Sequence, residues 1–163
     1  MNRERLAAVR LLALDVDGVL TDGRVWFFDD GHEAKAFSIR DGHGIKRLLA
    51  AGVAVIIISG RRSAASAHRA QELGITAIHE GVSDKAGVLA EAAATAGVAL
   101  ADCAFMGDDE PDMPALEAAG IALAPADAIP AVRALADWCA TSAGGRGAVR
   151  EACELLLAAR QSA

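Results

Sequence analysis

The feature that most constrains the fold is an uninterrupted apolar run over residues 53–58, rich in valine and isoleucine. A run of this kind is typical of a parallel strand that is buried on both faces of a sheet. Shorter apolar runs recur along the chain and alternate with alanine-rich amphipathic segments, joined by short connections. This alternation predicts an α/β fold with a Rossmann-like, doubly wound parallel sheet.

The strands and helices can be placed from this alternation. Strands are predicted over residues 11–16, 53–58, 75–78, 104–106 and 121–124 and near Trp138. Helices are predicted over residues 41–51, 63–73, 83–97, 112–119, 129–136 and 148–160. Asp41 and Asp112 are predicted to cap the first and fourth of these helices, because an aspartate oxygen can accept a free backbone N–H.

One early segment departs from the alternation. Two extended apolar stretches flank Asp29-Asp30-Gly31, and this arrangement predicts a β-hairpin at about residues 24–39. The hairpin carries more apolar side chains than a small exposed hairpin normally does, which indicates a surface for self-association. We predict a single domain over residues 1–163 that contains this hairpin.

The charge and cysteine content restrict the possible partners. A formal net charge of −6 argues against a nucleic-acid partner. It leaves room for an anionic small molecule, because a bound cation can reverse the field inside a pocket. The three cysteines are widely spaced, which disfavours a zinc site or a disulfide framework. The N-terminus lacks a signal-peptide core and no apolar stretch is long enough to cross a membrane, so a soluble, cytoplasmic protein is expected.

Two carboxylates follow the first predicted strand. Asp15 and Asp17 are two residues apart, so their side chains lie on the same side of the backbone, and Gly18 lets the chain turn away. One carboxylate can attack phosphorus while the other transfers a proton to the leaving group. The alternative is a calcium-binding loop, but such a loop follows a helix and needs a glutamate where Trp26 stands.

Two further residues suit the binding of a phosphoryl group. The Ser59 hydroxyl ends the buried strand beside Gly60 and can hydrogen-bond a phosphoryl oxygen, although a simple serine turn would also explain it. Lys85 lies in the first turn of a predicted helix, where a cation is unfavourable for the helix dipole. A phosphoryl group or the Asp15 carboxylate would explain this position, and an ordinary solvated lysine is the alternative.

An acidic cluster follows the strand at 104–106. Four of the five residues at positions 108–112 are acidic and repel one another unless a cation, a helix N-terminus or water relieves them. Oxygen-only ligands of this kind suit magnesium. The alternative is an acidic loop that caps the next helix.

Taken in order, these four motifs resemble those of the haloacid-dehalogenase (HAD) superfamily, and the resemblance covers nearly the whole chain. The resemblance implies a magnesium-dependent phosphatase with the following roles. Asp15 would be the nucleophile, Asp17 the general acid and base, and Ser59, Gly60 and Lys85 the phosphate-binding residues. Asp15, the backbone carbonyl of Asp17, and Asp108 would bind Mg²⁺, with Asp109 close by or in contact through water.

The spacing of the motifs leaves no room for the cap domain that many members insert, which implies the capless subgroup. Residues 37–44 and 144–151 resemble those of capless enzymes that act on sugar-acid phosphates, in particular 3-deoxy-D-manno-octulosonate 8-phosphate (KDO 8-phosphate). That resemblance implies a homotetramer in which hairpins associate and neighbouring subunits help to complete each active site. It also implies Arg146 as a mobile substrate contact in the C-terminal segment 144–163, with Arg61 and Arg40 as weaker candidates for the anionic end of the substrate.

Other functions remain open at this point, among them a broad sugar phosphatase and a phosphoacceptor signalling domain. A phosphatase acting on nine-carbon ulosonate 9-phosphates, such as those of KDN or sialic acid, would share these motifs. A non-catalytic tetramerising module of a cytidylyltransferase system would share the fold, but it would not need to keep the complete set of motif residues.

Overall fold

Six parallel strands form the central sheet of the computed structural model, which describes residues 2–161. In chain order the strands are β1 (Leu11–Leu14), β2 (Trp26–Phe27), β3 (Glu33–Ala34), β4 (Ala54–Ser59), β5 (Ala77–Glu80), β6 (Cys103–Met106), β7 (Ile121–Ala124) and β8 (Trp138–Cys139). The sheet has the order β5-β4-β1-β6-β7-β8, and β2 and β3 form a separate antiparallel hairpin. The predicted doubly wound α/β fold is therefore confirmed.

Helices cover both faces of this sheet. They are α1 (Arg3–Ala8), α2 (Ile39–Ala50), α3 (Ala64–Leu73), α4 (Lys85–Thr95), α5 (Met113–Ala118), α6 (Pro130–Leu135) and α7 (Ala148–Arg160). Helices α1, α2, α3 and α7 pack on one face, and α4, α5 and α6 pack on the other. The predicted bounds of β7 and α7 match the structure, and the other predicted elements are shifted by a few residues at one or both ends.

The apolar sequence of β1 follows from this layering. Leu12 and Leu14 point into the core beneath α2 and α7, whereas Leu11 and Ala13 point into the core beneath α4 and α5. Because successive side chains of a strand alternate between faces, a strand with a core on both sides must be apolar throughout. The run at 53–58 follows the same rule in β4, where residues 55–58 are all buried.

The start of α2 differs from the prediction. The helix begins at Ile39, and the Ser38 hydroxyl caps it by accepting the backbone N–H of Asp41. Asp41 caps a different helix: its buried carboxylate accepts the backbone N–H groups of Gly147 at 3.3 Å and Arg150 at 2.7 Å, at the start of α7. The prediction that Asp41 caps its own helix was therefore wrong, because tertiary packing takes its side chain to α7.

The hairpin is shorter than predicted. Its strands contain two residues each, and Trp26 pairs with Ala34 while Phe27 pairs with Glu33. Trp26, Phe27 and Phe28 remain 56–71% exposed, so the apolar side chains of this hairpin do not pack on the core of their own chain.

No helix in the described part of the chain, residues 2–161, has the length and apolar character needed to cross a membrane.

The three cysteines are free, and Cys103 and Cys153 are buried. Burial raises the pKa of the Cys153 thiol to about 12, with the Asp41 carboxylate adding to the effect, so this thiol stays protonated near neutral pH.

We expect Asp41→Ala to lower the free energy of unfolding by about 2 kcal/mol, because one buried and one partly buried backbone N–H group at the start of α7 lose their acceptor. Urea unfolding followed by circular dichroism measures the change. Glu117→Ala, which removes an exposed carboxyl group on α5, is the control and should leave stability within about 0.5 kcal/mol of the parent. Equal stability of the two variants would contradict the capping role of Asp41.

Candidate active site

The carboxyl ends of β1, β4 and β6 meet at a cleft of about 240 Å³. The chain reverses its direction of winding between β1 and β6, and ligands of open α/β sheets bind at such a point. The residues that line the cleft are Asp15, Asp17, Ser59, Gly60, Arg61, Lys85, Asp108, Asp109, Pro111 and Asp112. The structure thus brings together eight of the ten residues predicted for the site.

Asp15 and Lys85 form a buried ion pair in this cleft. Asp15 follows β1 directly, and its backbone N–H donates to the carbonyl of Met106 at 3.0 Å, which fixes it beside the end of β6. Lys85 Nζ lies 2.6 Å from Asp15 Oδ1 and 2.5 Å from Asp112 Oδ1. Burial disfavours the charged lysine, but the two carboxylates outweigh this effect and raise its pKa. These contacts account for a lysine in the first turn of α4.

Asp112 is a functional residue that the sequence interpretation missed. It was predicted to cap α5, but its side chain makes no cap bond there. Its Oδ2 instead accepts the backbone N–H groups of Asp108 at 2.9 Å and Asp109 at 3.2 Å, while its Oδ1 binds Lys85. Asp112 therefore fixes the acidic loop against α4. Its place in the acidic cluster was the only signal for this role, and that signal also fitted a helix cap.

The carboxylates of the cleft have an excess of negative charge. Burial, together with the charges of Asp15, Asp112 and Asp109, raises the pKa of Asp108 to about 7. Burial, then Asp112, raises the pKa of Asp15 to about 6, despite the opposing effect of Lys85. Lys85 is already bound to two carboxylates, so a further cation is needed to stabilise both Asp15 and Asp108 in their charged forms.

The arrangement of these oxygens fits a magnesium ion. Asp15, Asp108 and Asp112 each offer a carboxylate oxygen within 4.8 Å of the others. Asp112 is occupied by Lys85 and two backbone N–H groups, whereas Asp108 Oδ1 is buried without a hydrogen-bond partner. Magnesium typically binds one or two carboxylates and retains several waters, which suits Asp15 and Asp108 at an open cleft.

Asp17 lies between two cations. Lys35 Nζ is 2.7 Å from its Oδ1 and 2.9 Å from its Oδ2, and Arg61 Nε is 3.6 Å from Oδ2. Lys35 comes from the hairpin, and the sequence interpretation did not single it out. A lysine beside a polar turn is normally solvated, so no local signal distinguished it.

Ser59 and Arg61 occupy the end of β4. The buried Ser59 Oγ accepts the backbone N–H of Arg61 at 3.3 Å, which is the serine turn that the sequence also allowed. The hydroxyl hydrogen of Ser59 remains available for a phosphoryl oxygen, since an accepting hydroxyl can still donate. Arg61 is about half exposed at the mouth of the cleft, with its side chain 3.3 Å from Glu33 Oε2.

Arg40 and Arg146 lie outside the cleft. Arg40 is exposed on α2. Arg146 lines a separate cavity of about 130 Å³, where its Nη2 lies 3.4 Å from Asp22 Oδ2. The segment that carries Arg146 is anchored through Gly145, whose backbone N–H donates to the Val19 carbonyl at 2.9 Å. The roles of Arg40 and Arg146 in binding a substrate therefore stay predictions.

Comparison with known proteins adds an independent observation. Residues 75–151 match the family model described as haloacid dehalogenase-like hydrolase. The chain is 43% identical to the 3-deoxy-D-manno-octulosonate 8-phosphate phosphatase of Escherichia coli strain K12 over 93% of its own length and 81% of the relative. It is also 43% identical to the phosphatase of the same name from Yersinia pestis, over 96% of its own length and 84% of the relative.

Solved structures agree with these relatives. The phosphatase of the same name from Moraxella catarrhalis, in complex with magnesium ion, phosphate ion and KDO, superposes with a TM-score of 0.96 at 40% identity. The match covers 98% of this chain and 92% of that one. The cobalt-bound enzyme from Haemophilus influenzae gives a TM-score of 0.94 at 37% identity, over 96% of this chain and 92% of that one.

We expect Gly18→Ala to disrupt the acidic site. Gly18 has a φ of +100°, and a Cβ at this position would collide with the carboxylate of Asp108. The variant should lose most of the rise in Tm that millimolar Mg²⁺ gives the parent, and any phosphatase activity should fall by about 100-fold or more.

Gly52→Ala is the matched control for this prediction. Gly52 has a φ of +79° but open space around it, so alanine there introduces only the backbone strain of about 1–2 kcal/mol. Differential scanning fluorimetry with and without Mg²⁺ compares the two variants. An undiminished response to Mg²⁺ in Gly18→Ala would show that Asp108 takes no part in binding the ion.

Proposed function

Because this chain belongs to the haloacid dehalogenase-like hydrolases, and within them to the KDO 8-phosphate phosphatase family, we propose that it hydrolyses KDO 8-phosphate to KDO and phosphate. The observation that carries the proposal is Asp15, buried at the end of β1, held by Lys85 and open to a cleft lined by further carboxylates and Ser59. Activated carboxylates of this kind form covalent phosphoryl intermediates.

In the first step an oxygen of Asp15 attacks phosphorus and forms an aspartyl-phosphate. The bond between phosphorus and the sugar oxygen breaks, and its electron pair stays on that oxygen. Asp17 donates a proton to the departing oxygen, so that the alcohol of KDO is released. Lys85 holds the Asp15 carboxylate in place, and Ser59 with the backbone at Gly60, which line the same cleft, would bind the phosphoryl oxygens.

In the second step a water molecule attacks the phosphorus of the aspartyl-phosphate. Asp17, now ionised, takes a proton from this water, the bond between Asp15 and phosphorus breaks, and inorganic phosphate forms. Both aspartates thereby return to their starting states, as general acid–base catalysis requires.

Magnesium fits this site, and Asp15, Asp108 and the backbone carbonyl of Asp17 would hold it, with Asp109 close by. When bound, it neutralises the charge that repels an anionic phosphate from Asp15 and stabilises the transferring phosphoryl group. The buried oxygen of Asp108 that lacks a partner supports this placement.

Arg61 is the residue best placed to bind the sugar acid. It is about half exposed at the mouth of the cleft, and a guanidinium suits a carboxylate. Arg40 and Arg146 do not line the cleft of their own chain, so in this chain alone they would not contact a substrate bound there. In the homotetramer that the sequence resemblance implies, Arg40 or Arg146 could instead contact the substrate in the cleft of a neighbouring subunit.

The exposed hairpin supports that assembly. Trp26, Phe27 and Phe28 are exposed large apolar side chains of the hairpin, which reaches the cleft through the contact of Lys35 with Asp17. Apolar patches of this kind mark protein interfaces. We place the enzyme in the cytoplasm, since all three of its cysteines are free thiols.

The substrate is tested by measuring Mg²⁺-dependent phosphate release from KDO 8-phosphate, nine-carbon ulosonate 9-phosphates and hexose phosphates. We expect the highest kcat/KM with KDO 8-phosphate. Asp15→Asn should abolish turnover on every substrate while Tm and oligomeric state stay close to those of the parent, because the amide is isosteric but cannot attack phosphorus.

Other results of the substrate panel and of Asp15→Asn would change the proposal. Preference for a nine-carbon ester would move the proposal to that substrate class, and comparable kcat/KM on hexose phosphates would overturn the assignment to a sugar acid. Retained activity in Asp15→Asn would overturn the mechanism. No release of phosphate from any ester in the presence of Mg²⁺ would favour a non-catalytic tetramerising module.

We expect the parent to have four times the mass of the 16.7 kDa chain in multi-angle light scattering at micromolar concentration. Phe27→Asp should reduce this mass, because it places a charge in the apolar hairpin surface. Thr95→Asp, which adds the same charge on the exposed side of α4, should leave the mass unchanged. A monomeric parent would contradict the proposed assembly.

A further inference from the structure

Lys35 is a buried charge in an otherwise exposed element. It follows β3 directly, in a hairpin whose first strand and turn face solvent. Its side chain nevertheless has an exposed fraction of 0%. Burial of an ammonium group costs several kcal/mol unless a partner compensates for it. The position of Lys35 must therefore be understood from the group that it contacts.

That group is the carboxylate of Asp17. Lys35 Nζ donates a hydrogen bond to Asp17 Oδ2 at 2.9 Å and lies 2.7 Å from Oδ1, so it is close to both oxygens of the carboxylate. These short contacts pair a cation with the second reacting carboxyl group, just as Lys85 pairs with the first.

The other supports of Asp17 are weak. Arg61 Nε lies 3.6 Å from Asp17 Oδ2, and the Arg61 side chain is about half exposed and shared with Glu33. Backbone N–H groups hold the buried carboxylates of Asp41 and Asp112, whereas the hydrogen bond to Asp17 in the described part of the chain comes from Lys35. The orientation of Asp17 therefore depends chiefly on Lys35.

We propose that Lys35 is a positioning residue for the reaction, which holds the Asp17 carboxyl group toward the oxygen that leaves phosphorus. The inference rests on the proposed function, in which Asp17 gives a proton to that oxygen as its bond to phosphorus breaks. Lys35 is not among the residues that line the cleft. It acts through Asp17, and it keeps this side chain from turning toward the acidic loop or the solvent.

This role makes the effect of Lys35 depend on the leaving group. A sugar alkoxide is a poor leaving group and needs the proton from Asp17, whereas nitrophenolate is stable as an anion and leaves without it. Displacement of Asp17 should therefore slow the cleavage of an alkyl phosphate far more than that of p-nitrophenyl phosphate. A general disturbance of the cleft would slow both reactions equally.

The test compares Lys35→Met, Lys35→Arg and the parent in single-turnover experiments with enzyme in excess over substrate and with saturating Mg²⁺. Release of the leaving group is followed by rapid quench for KDO 8-phosphate and by absorbance for p-nitrophenyl phosphate. Lys46→Met, which removes an exposed lysine from α2, is the matched control and should equal the parent.

For Lys35→Met we expect KDO release at saturating enzyme to slow by about 10- to 100-fold and nitrophenolate release by less than about threefold, with the half-saturating enzyme concentration within about threefold of the parent. Lys35→Arg should recover part of the lost rate, because it retains a cation beside Asp17. Lys35→Gln provides a second variant with the same expected ratio if Lys35→Met does not remain folded.

Equal slowing on both substrates, or an unchanged rate on both, would overturn the inference. The proposed substrate is tested separately. If the parent prefers another alkyl phosphate, the assignment to KDO 8-phosphate fails. The slowing caused by Lys35→Met is then measured on that ester and compared with the slowing on p-nitrophenyl phosphate, and this comparison still decides the role of Lys35.

Discussion

The ammonium group of Lys85, held between Asp15 and Asp112, is the interaction on which the site depends. It joins the start of α4 to the end of β1 and to the acidic loop after β6. Each of these three elements would otherwise bring an uncompensated charge into a buried region, at a cost of several kcal/mol per ion. Asp108 Oδ1, beside this contact, is buried without a hydrogen-bond partner and is therefore open to a divalent cation.

The sheet makes this arrangement possible. Parallel strands place all their carboxyl ends at one edge, so residues far apart in sequence converge there without any local contact between them. Gly18 then turns the chain away from β1 and leaves room for the Asp108 carboxylate, because any side chain at that position would occupy the same space. The layered core supplies the rigid support that a site of this kind needs.

The sequence was most informative where burial controls residue type. The strands β1, β4 and β6 were predicted because two cores leave them almost no polar positions, and the ends of these strands located Asp15, Ser59 and Asp108. The predictions were wrong for side chains that bind groups far away in sequence. Asp41 caps α7 rather than α2, and Asp112 binds Lys85 rather than capping α5. An aspartate near a helix start looks the same in all these cases, since only the tertiary fold determines which N–H groups or cations reach it.

The hairpin also carries side chains that contact residues far away in sequence. The aromatic side chains of its first strand and turn are exposed, while Glu33 and Lys35 of its second half contact Arg61 and Asp17. A subunit that packs on the outer surface would therefore restrict the motion of residues that hold the general acid. In an enzyme without an inserted cap domain, assembly of subunits can then have two effects. It can cover the cleft, and it can restrain the orientation of Asp17. Both effects pass through one short hairpin of two-residue strands, which is marginally stable by itself, so subunit contacts of the proposed tetramer would stabilise its conformation.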